Sequence, residues 1–256
     1  MRILSILCFV VTLTSLASAQ QAVTAYGDSS YPPYSFTADA KPEGIYVDII
    51  EQAFSMISGY TVRFQMTPWQ RGLNAVKSGK AIALFPPYQT ADRDGWMQFS
   101  VPILAEEIVV FSTAKALEGR TTWPDDFHGL SCGMNAGFDL VGLGGQAFAN
   151  AVKKGKIRIH ETKGTEANLR KLEKGRVDVY LNDSLTGISD YPPLVRGPVV
   201  SSNHGHLGFT RASGSYPYLK DLRQEFNEAI AKMKASGAID KILARYRNAD
   251  EAGKRD

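Results

Sequence analysis

The sequence predicts an α/β protein with largely parallel sheets. Short β-branched runs predict strands, and apolar residues at helical spacing lie between them, as in the segment 47–57. Strand and helix alternate almost strictly, and in such sheets ligands bind at the carboxyl ends of strands. The predicted strands are 22–26, 61–65, 81–85, 108–111, 130–134, 157–160 and 177–181.

The last forty residues predict a pair of amphipathic helices. One apolar face consists of Leu219, Leu222, Phe226, Ile230 and Met233. A second apolar face follows the break at 237 and extends over 239–246. These helices need a sheet to cover, and the N-terminal half of the chain is the natural candidate.

The N-terminus predicts an exported protein. Arg2, an apolar run over 3–16 and the sequence Ala17-Ser18-Ala19 make a signal peptide, residues 1–19, with cleavage after Ala19. The mature chain then has one cysteine, Cys132, so an intramolecular disulfide is excluded and a buried free thiol is expected. We expect the periplasm as its location.

Composition and motifs argue against several functional classes. The net charge is +3, with acidic and basic residues interspersed, so nucleic acid is not an expected partner. The four histidines show no metal-ligand spacing, and no dinucleotide or nucleophile-elbow motif is present. The sequence therefore predicts no metal, no cofactor and no enzymatic activity.

Four segments, in this order, resemble the family 3 bacterial extracellular solute-binding proteins, the polar amino-acid type of periplasmic binding protein. They are 27–36 (GDSSYPPYSF), 44–50 (GIYVDII), 68–102 with its PW, TADR and FSVP elements, and 175–183 (GRVDVYLND). Each segment alone is weakly specific. Their order and spacing together are more specific, and the resemblance covers nearly all of the mature chain.

The resemblance implies a type II periplasmic-binding-protein fold, with two lobes joined by two hinge strands. The first lobe is expected to be discontinuous, 20–108 plus 211–256, and the second to be 109–210. The implied function is capture of a small ligand, an amino acid or a related amine or carboxylate, by a monomer that delivers it to an ABC permease. Two alternatives are a module that presents ligand to a membrane sensor, and a lyase or dehydratase that uses the same cleft.

Two charged residues are implied as the main ligand contacts. Arg93, in the T-x-x-R pattern, is expected to bind a carboxylate through two hydrogen bonds. Without the resemblance, a surface salt bridge is its favoured role. Thr90 could bind the same carboxylate or cap the following turn. Asp183 matches the family's ammonium-binding carboxylate, and capping of a loop is its alternative role.

The other implied contacts are aromatic or acidic. Tyr31 and Trp69 match positions whose rings lie against a ligand's aliphatic part, although either could belong to the core. Asp28 matches a position that can meet a cationic side-chain end. Arg71 could face either the cleft or the solvent.

The chain departs from the family pattern at two places. Pro86, Pro87 and Tyr88 stand where small residues commonly line the carboxylate site, and Phe138 and Asp139 stand where Ser or Thr usually follows Gly137. Asp139 could cap a helix or contact the ligand. If it faces the cleft, acidic residues outnumber Arg93, and a cationic or polyamine-like ligand is favoured.

Overall fold

The computed structural model describes residues 20–252 of the 256-residue chain. The predicted signal peptide and its cleavage site lie outside the described residues. The strands are β1 (Gln21–Asp28), β2 (Ser30–Tyr31), β3 (Ser35–Ala38), β4 (Lys41–Glu43), β5 (Tyr60–Thr67), β6 (Ala83–Phe85), β7 (Met97–Phe99), β8 (Leu104–Thr113), β9 (Ser131–Asn135), β10 (Arg158–Thr162), β11 (Val179–Asp183), β12 (Leu194–Gly205) and β13 (Gly208–Thr210). The helices are α1 (Ile45–Ser55), α2 (Trp69–Lys77), α3 (Ala91–Asp94), α4 (Ala114–Leu117), α5 (Leu140–Lys153), α6 (Thr165–Glu173), α7 (Leu219–Ala235) and α8 (Ala238–Ala252).

The first sheet has the strand order β5-β1-β6-β13-β7. β1 pairs in parallel with β5 and β6, and β13 pairs antiparallel with β6 and β7. The apolar face of α7 packs in the same core as Val23 of β1 and Ile49 of α1. The C-terminal helices thus bury their apolar residues beside the first sheet. We call the part of the chain around this sheet the first lobe.

The second sheet has the strand order β10-β9-β11-β8-β12. β9 pairs in parallel with β10 and β11, whereas β8 pairs antiparallel with β11 and β12. α5 supplies Leu143 and Phe148 to its core, which also contains the buried Cys132. Burial raises the pKa of the Cys132 thiol to about 12, so it stays protonated at neutral pH. We call the part around this sheet the second lobe.

The chain crosses between the two sheets twice. It leaves the first sheet after Phe99 and enters the second at Leu104, and it returns between Gly205 and Gly208. The predicted limit at 108/109 therefore falls inside β8, whose side chains from Ile108 to Phe111 are buried in the second lobe. Among residues 20–252, no helix has both the length and the apolar character that crossing a bilayer requires.

Candidate ligand-binding cleft between the lobes

A narrow cavity lies between the two lobes, beside the carboxyl ends of β1 and β6 and the start of α5. All predicted ligand contacts except Arg71, Thr90 and Asp183 line it. The lining residues are Asp28, Tyr31, Trp69, Pro86, Tyr88 and Arg93 of the first lobe and Phe138, Asp139 and Leu143 of the second.

Aromatic rings of the two lobes meet in this cavity. The Phe138 ring lies edge-on to Tyr31 at a centroid distance of 5.4 Å and to Trp69 at 6.3 Å. Trp69 Nε1 also donates a hydrogen bond to the Gly137 carbonyl oxygen at 3.1 Å. Gly137 has a φ of 83°, a backbone conformation that residues with a Cβ rarely adopt, so glycine is favoured at this contact between the lobes.

Arg93 is a buried cation on the first-lobe wall. Its guanidinium carbon lies 5.7 Å from the centroid of the Trp69 ring, and Nη1 donates to the Tyr88 carbonyl oxygen at 2.9 Å. Burial lowers the pKa of Arg93, and the negative charge of Asp139 acts in the opposite direction. Arg93 therefore faces the cavity with an acidic residue of the other lobe nearby.

Asp139 fulfils both roles that the sequence left open. It caps α5, because Oδ1 accepts a hydrogen bond from the Gly142 amide at 2.6 Å. It also lines the cavity from the second lobe. A ligand carboxylate that approached Arg93 would therefore meet the charge of Asp139 as well.

Asp28 is a buried acid at the end of β1. Its Oδ1 accepts a hydrogen bond from the Ser30 amide at 3.0 Å, and only 4% of the residue is exposed. Burial raises the pKa of Asp28 to about 7, and the Ser30 hydrogen bond opposes that shift. Near neutral pH this group is thus poised between its charged and neutral forms.

Two predicted contacts lie outside the cavity wall. Arg71 is on the exposed side of α2, so the structure does not bring it to the cleft. Thr90 precedes α3 but makes no side-chain cap, and its buried Oγ1 has no hydrogen-bond partner among the described residues. Thr90 therefore keeps an unused hydroxyl near Arg93, whereas Arg71 does not line the cavity and its role as a ligand contact stays a prediction.

Asp183 lies deeper between the lobes. It is fully buried at the end of β11, and Oδ1 accepts hydrogen bonds from the Tyr34 hydroxyl and, at 2.7 Å, from the Leu185 amide. Oδ2 is buried without a hydrogen-bond partner in the described part of the chain. Burial raises the pKa of Asp183 to about 6, against the effect of these hydrogen bonds.

Glu106 is an acidic residue of the cleft that the sequence reasoning missed. It is 1% exposed, and its carboxylate accepts hydrogen bonds from the hydroxyls of Tyr31 at 3.1 Å, Tyr88 at 2.7 Å and Tyr46. Burial and the nearby Asp183 charge raise the pKa of Glu106 to about 8. The signal was present in the sequence, because Leu104, Glu106 and Ile108 alternate with outward residues along one strand face.

Comparison with known proteins places this chain in a family. The sequence profile of the bacterial extracellular solute-binding proteins, family 3, matches residues 23–249. The L-cystine-binding protein TcyJ of Escherichia coli strain K12 is 23% identical over 230 residues, which cover 87% of this chain and 81% of that protein.

Solved structures share the fold. One, described with glutathione import through GshT and the cystine importer TcyBC of Streptococcus mutans, aligns with a TM-score of 0.75 at 18% identity, covering 89% of this chain and 95% of the other. A mutant of ArgBP from T. maritima aligns with a TM-score of 0.74 at 17% identity, covering 89% and 95%. Both have the two-lobed periplasmic-binding-protein fold that the sequence predicted. With the profile match over most of its length, this chain belongs to the family 3 bacterial extracellular solute-binding proteins.

Proposed function

We propose that this protein captures a small amine-bearing ligand, an amino acid or a related amine, between its two lobes and delivers it to an ABC importer. The observation that carries the proposal is a cavity whose walls come from both lobes. A ligand that contacts both walls stabilises the closed form, and a permease can recognise closure. The relatives named above, a cystine-binding protein and proteins of glutathione or arginine binding, support a ligand of this class.

The charges around the cavity favour a ligand with positive charge. Asp28 and Asp139 line the wall, Glu106 and Asp183 lie behind it, and Arg93 is the cation of the wall. Acidic groups that lose water on closure repel a second carboxylate and stabilise an ammonium or guanidinium group. An acidic amino acid is therefore the least favoured member of the ligand class.

Thermal unfolding of the mature chain tests the proposal. The ligands are L-arginine, agmatine, which lacks its carboxylate, L-citrulline, whose side chain is neutral, L-cystine and L-glutamate. A compound at one hundred times its Kd stabilises the folded state by about 2.7 kcal/mol and raises the Tm by several degrees. We expect L-arginine or agmatine to raise the Tm and L-glutamate to leave it unchanged. No shift with any of these amines would contradict the proposal.

Transport is tested in the source cell. Deletion of the gene should abolish uptake of the radiolabelled ligand that raises the Tm. The wild-type gene should restore that uptake, and Asp183→Asn should restore little. Undiminished uptake in the deletion strain would exclude the importer role while leaving the binding result intact.

A further inference from the structure

Glu106 and Asp183 project from the same face of two neighbouring strands. β8 and β11 are antiparallel, with Asp183 opposite Ile108, and Glu106 lies two residues before Ile108. Residues two apart on a strand share a face, and such diagonal neighbours lie about 7–8 Å apart. Two buried carboxyl groups therefore share a small volume at the boundary between the lobes.

Neutral hydroxyl groups from the first lobe cover both carboxylates. Three tyrosine hydroxyls donate to Glu106, and the Tyr34 hydroxyl donates to Asp183. Two of the tyrosines on Glu106, Tyr31 and Tyr88, also line the cavity. The carboxylate pair thus lies directly behind the cavity wall, one side chain away from a ligand.

One oxygen of Asp183 is left without a hydrogen bond from the described residues although a cation acts on the group. Arg196 lowers the pKa of Asp183, and its Nε and Nη2 donate to the carbonyl oxygens of Ser184 and Thr186 at 2.8 Å. Asp183 Oδ2 is buried and has no hydrogen-bond donor in the described part of the chain. A buried acceptor without a donor is destabilising, so a ligand N–H group that reached it would form a strong, charge-assisted hydrogen bond.

A glycine between the lobes leaves room for the contact between Tyr46 and Glu106. Gly205, at the end of β12, lies against the Tyr46–Glu106 contact, and a Cβ at position 205 would be 1.7 Å from Tyr46 Oη and 2.5 Å from Glu106 Oε1. Any larger residue would displace one of the two groups. Glu106 is therefore held in place by packing as well as by hydrogen bonds.

We propose that Glu106 and Asp183 together bind a cationic nitrogen of the ligand, with Glu106 as a second anionic contact that determines specificity. The inference rests on the proposed function, because it requires a ligand in the cleft. The ligand nitrogen reaches the pair when the Tyr31 and Tyr88 hydroxyls, which separate Glu106 from the cavity, turn aside. A primary ammonium or a guanidinium has enough N–H groups to donate to Asp183 Oδ2 and to Glu106 at once. The ligand class is therefore a primary amine or a guanidine, for which a carboxylate is not required.

Proton release is the signature of this subsite. The groups that face the pair are the hydroxyls of Tyr31, Tyr34, Tyr46 and Tyr88 and the charges of Glu107 and Arg196. Burial holds the pKa of Glu106 at about 8, so the free protein carries a proton there at neutral pH. A bound cation favours the ionised form, so binding releases a proton, and affinity rises with pH by up to about tenfold per unit below pH 8.

Calorimetric titration of the mature chain with agmatine between pH 6.5 and 8.5 tests the proposal. Primary amines and guanidines stay protonated over this range. Titrations in two buffers of different ionisation enthalpy count the protons released. We expect Glu106→Gln to weaken agmatine binding at least tenfold and to flatten the pH dependence. Glu173→Gln, which removes an exposed carboxylate at the end of α6, should change the affinity less than threefold and keep the slope.

Each result separates this inference from the proposed function. Retention of affinity within threefold and of the pH slope in Glu106→Gln would overturn the inference. The inference would also be overturned if the protein bound L-cystine or L-citrulline but not agmatine, and if Glu106→Gln left that binding unchanged. The proposed function would then stand. If no probe binds the wild type, both fail. If Glu106→Gln does not fold, proton release by the wild type and its reduction in Asp183→Asn decide the question.

Discussion

Two clusters of charged residues lie at the boundary between the lobes. One contains both a positive and a negative group, and the other contains two acidic groups. Arg93 and Asp139 have opposite charges and come from opposite walls of the cavity. Glu106 and Asp183 are both acids, and among the described residues their hydrogen bonds from the first lobe come from neutral tyrosine hydroxyls. The first cluster can stabilise the closed form without a ligand. The second gains most when a cation or a proton reaches it.

This difference bears on what the cleft recognises. In the resemblance to amino-acid-binding proteins, Arg93 holds a ligand carboxylate, but here Asp139 already supplies a negative charge near the guanidinium. The Glu106–Asp183 pair, by contrast, has an unused acceptor in Asp183 Oδ2. Under the proposed function, recognition would therefore depend more on a nitrogen of the ligand than on its carboxylate.

The largest expected effect is on stability as a function of pH. Burial raises the pKa of Asp28 to about 7 and of Glu106 to about 8, from 3.8 and 4.5. At pH values between the ordinary and the raised pKa, each of these groups holds its proton in the folded chain and loses it in the unfolded chain. The stability that the two groups contribute is therefore complete below their ordinary pKa values and is lost as the pH rises toward 8. The free energy of unfolding of the ligand-free protein should fall by at least about 2 kcal/mol from pH 5 to pH 8.

Urea unfolding at the two pH values measures this loss. Glu106→Gln should reduce the loss, and Glu173→Gln, at an exposed carboxylate of α6, should leave it unchanged. Burial lowers the pKa of His206, so this residue makes the folded state more stable as the pH rises. It is a single group, and the opposite effect of the buried carboxyl groups is larger. Equal or greater stability at pH 8 would show that the carboxyl groups near the cleft are ionised and satisfied without a ligand.

A smaller effect is expected when the Arg93–Asp139 cluster loses its negative charge. Asn can cap α5 as Asp does, so Asp139→Asn removes the charge and keeps the cap. Arg93 should then bind a carboxylate more strongly. The affinity ratio of L-arginine to agmatine should rise about fivefold, which is about 1 kcal/mol for a partly screened charge. Calorimetry measures the ratio, and an unchanged ratio would mean that Asp139 does not compete with the ligand.

The contrast also shows how far the sequence could be interpreted. Arg93, Asp28 and Asp139 follow strands or begin helices, where turn signals and motif spacing indicate cleft residues. Glu106 lies inside a strand with no motif, and only the alternation with Leu104 and Ile108 marks it as inward.

The sequence also left undecided whether Arg71 faces the cleft or the solvent. Consecutive helix residues are about 100° apart, so Arg71 lies about 200° around α2 from Trp69 and points away from the cleft. That argument needed the helix to begin at Trp69, which the sequence alone did not give. The short strands β2, β3, β4, β7 and β13 were also missed, since runs of two to four residues carry too little periodicity to be recognised. β12 has twelve residues and was missed as well, because Gly197 and Pro198 interrupt its alternation.

The smallest expected effect concerns the direct hydrogen bond between the lobes. Trp69→Phe keeps an aromatic ring beside Phe138 but removes the donor to the Gly137 carbonyl oxygen. A net loss of about 1 kcal/mol for the closed form should weaken ligand binding about fivefold. Trp96→Phe is the matched control, because Trp96 Nε1 is buried without a hydrogen-bond partner in the described part of the chain. Calorimetry and small-angle scattering of both variants measure affinity and closure. Equal losses in the two variants would mean that ring area, and not this hydrogen bond, holds the lobes together.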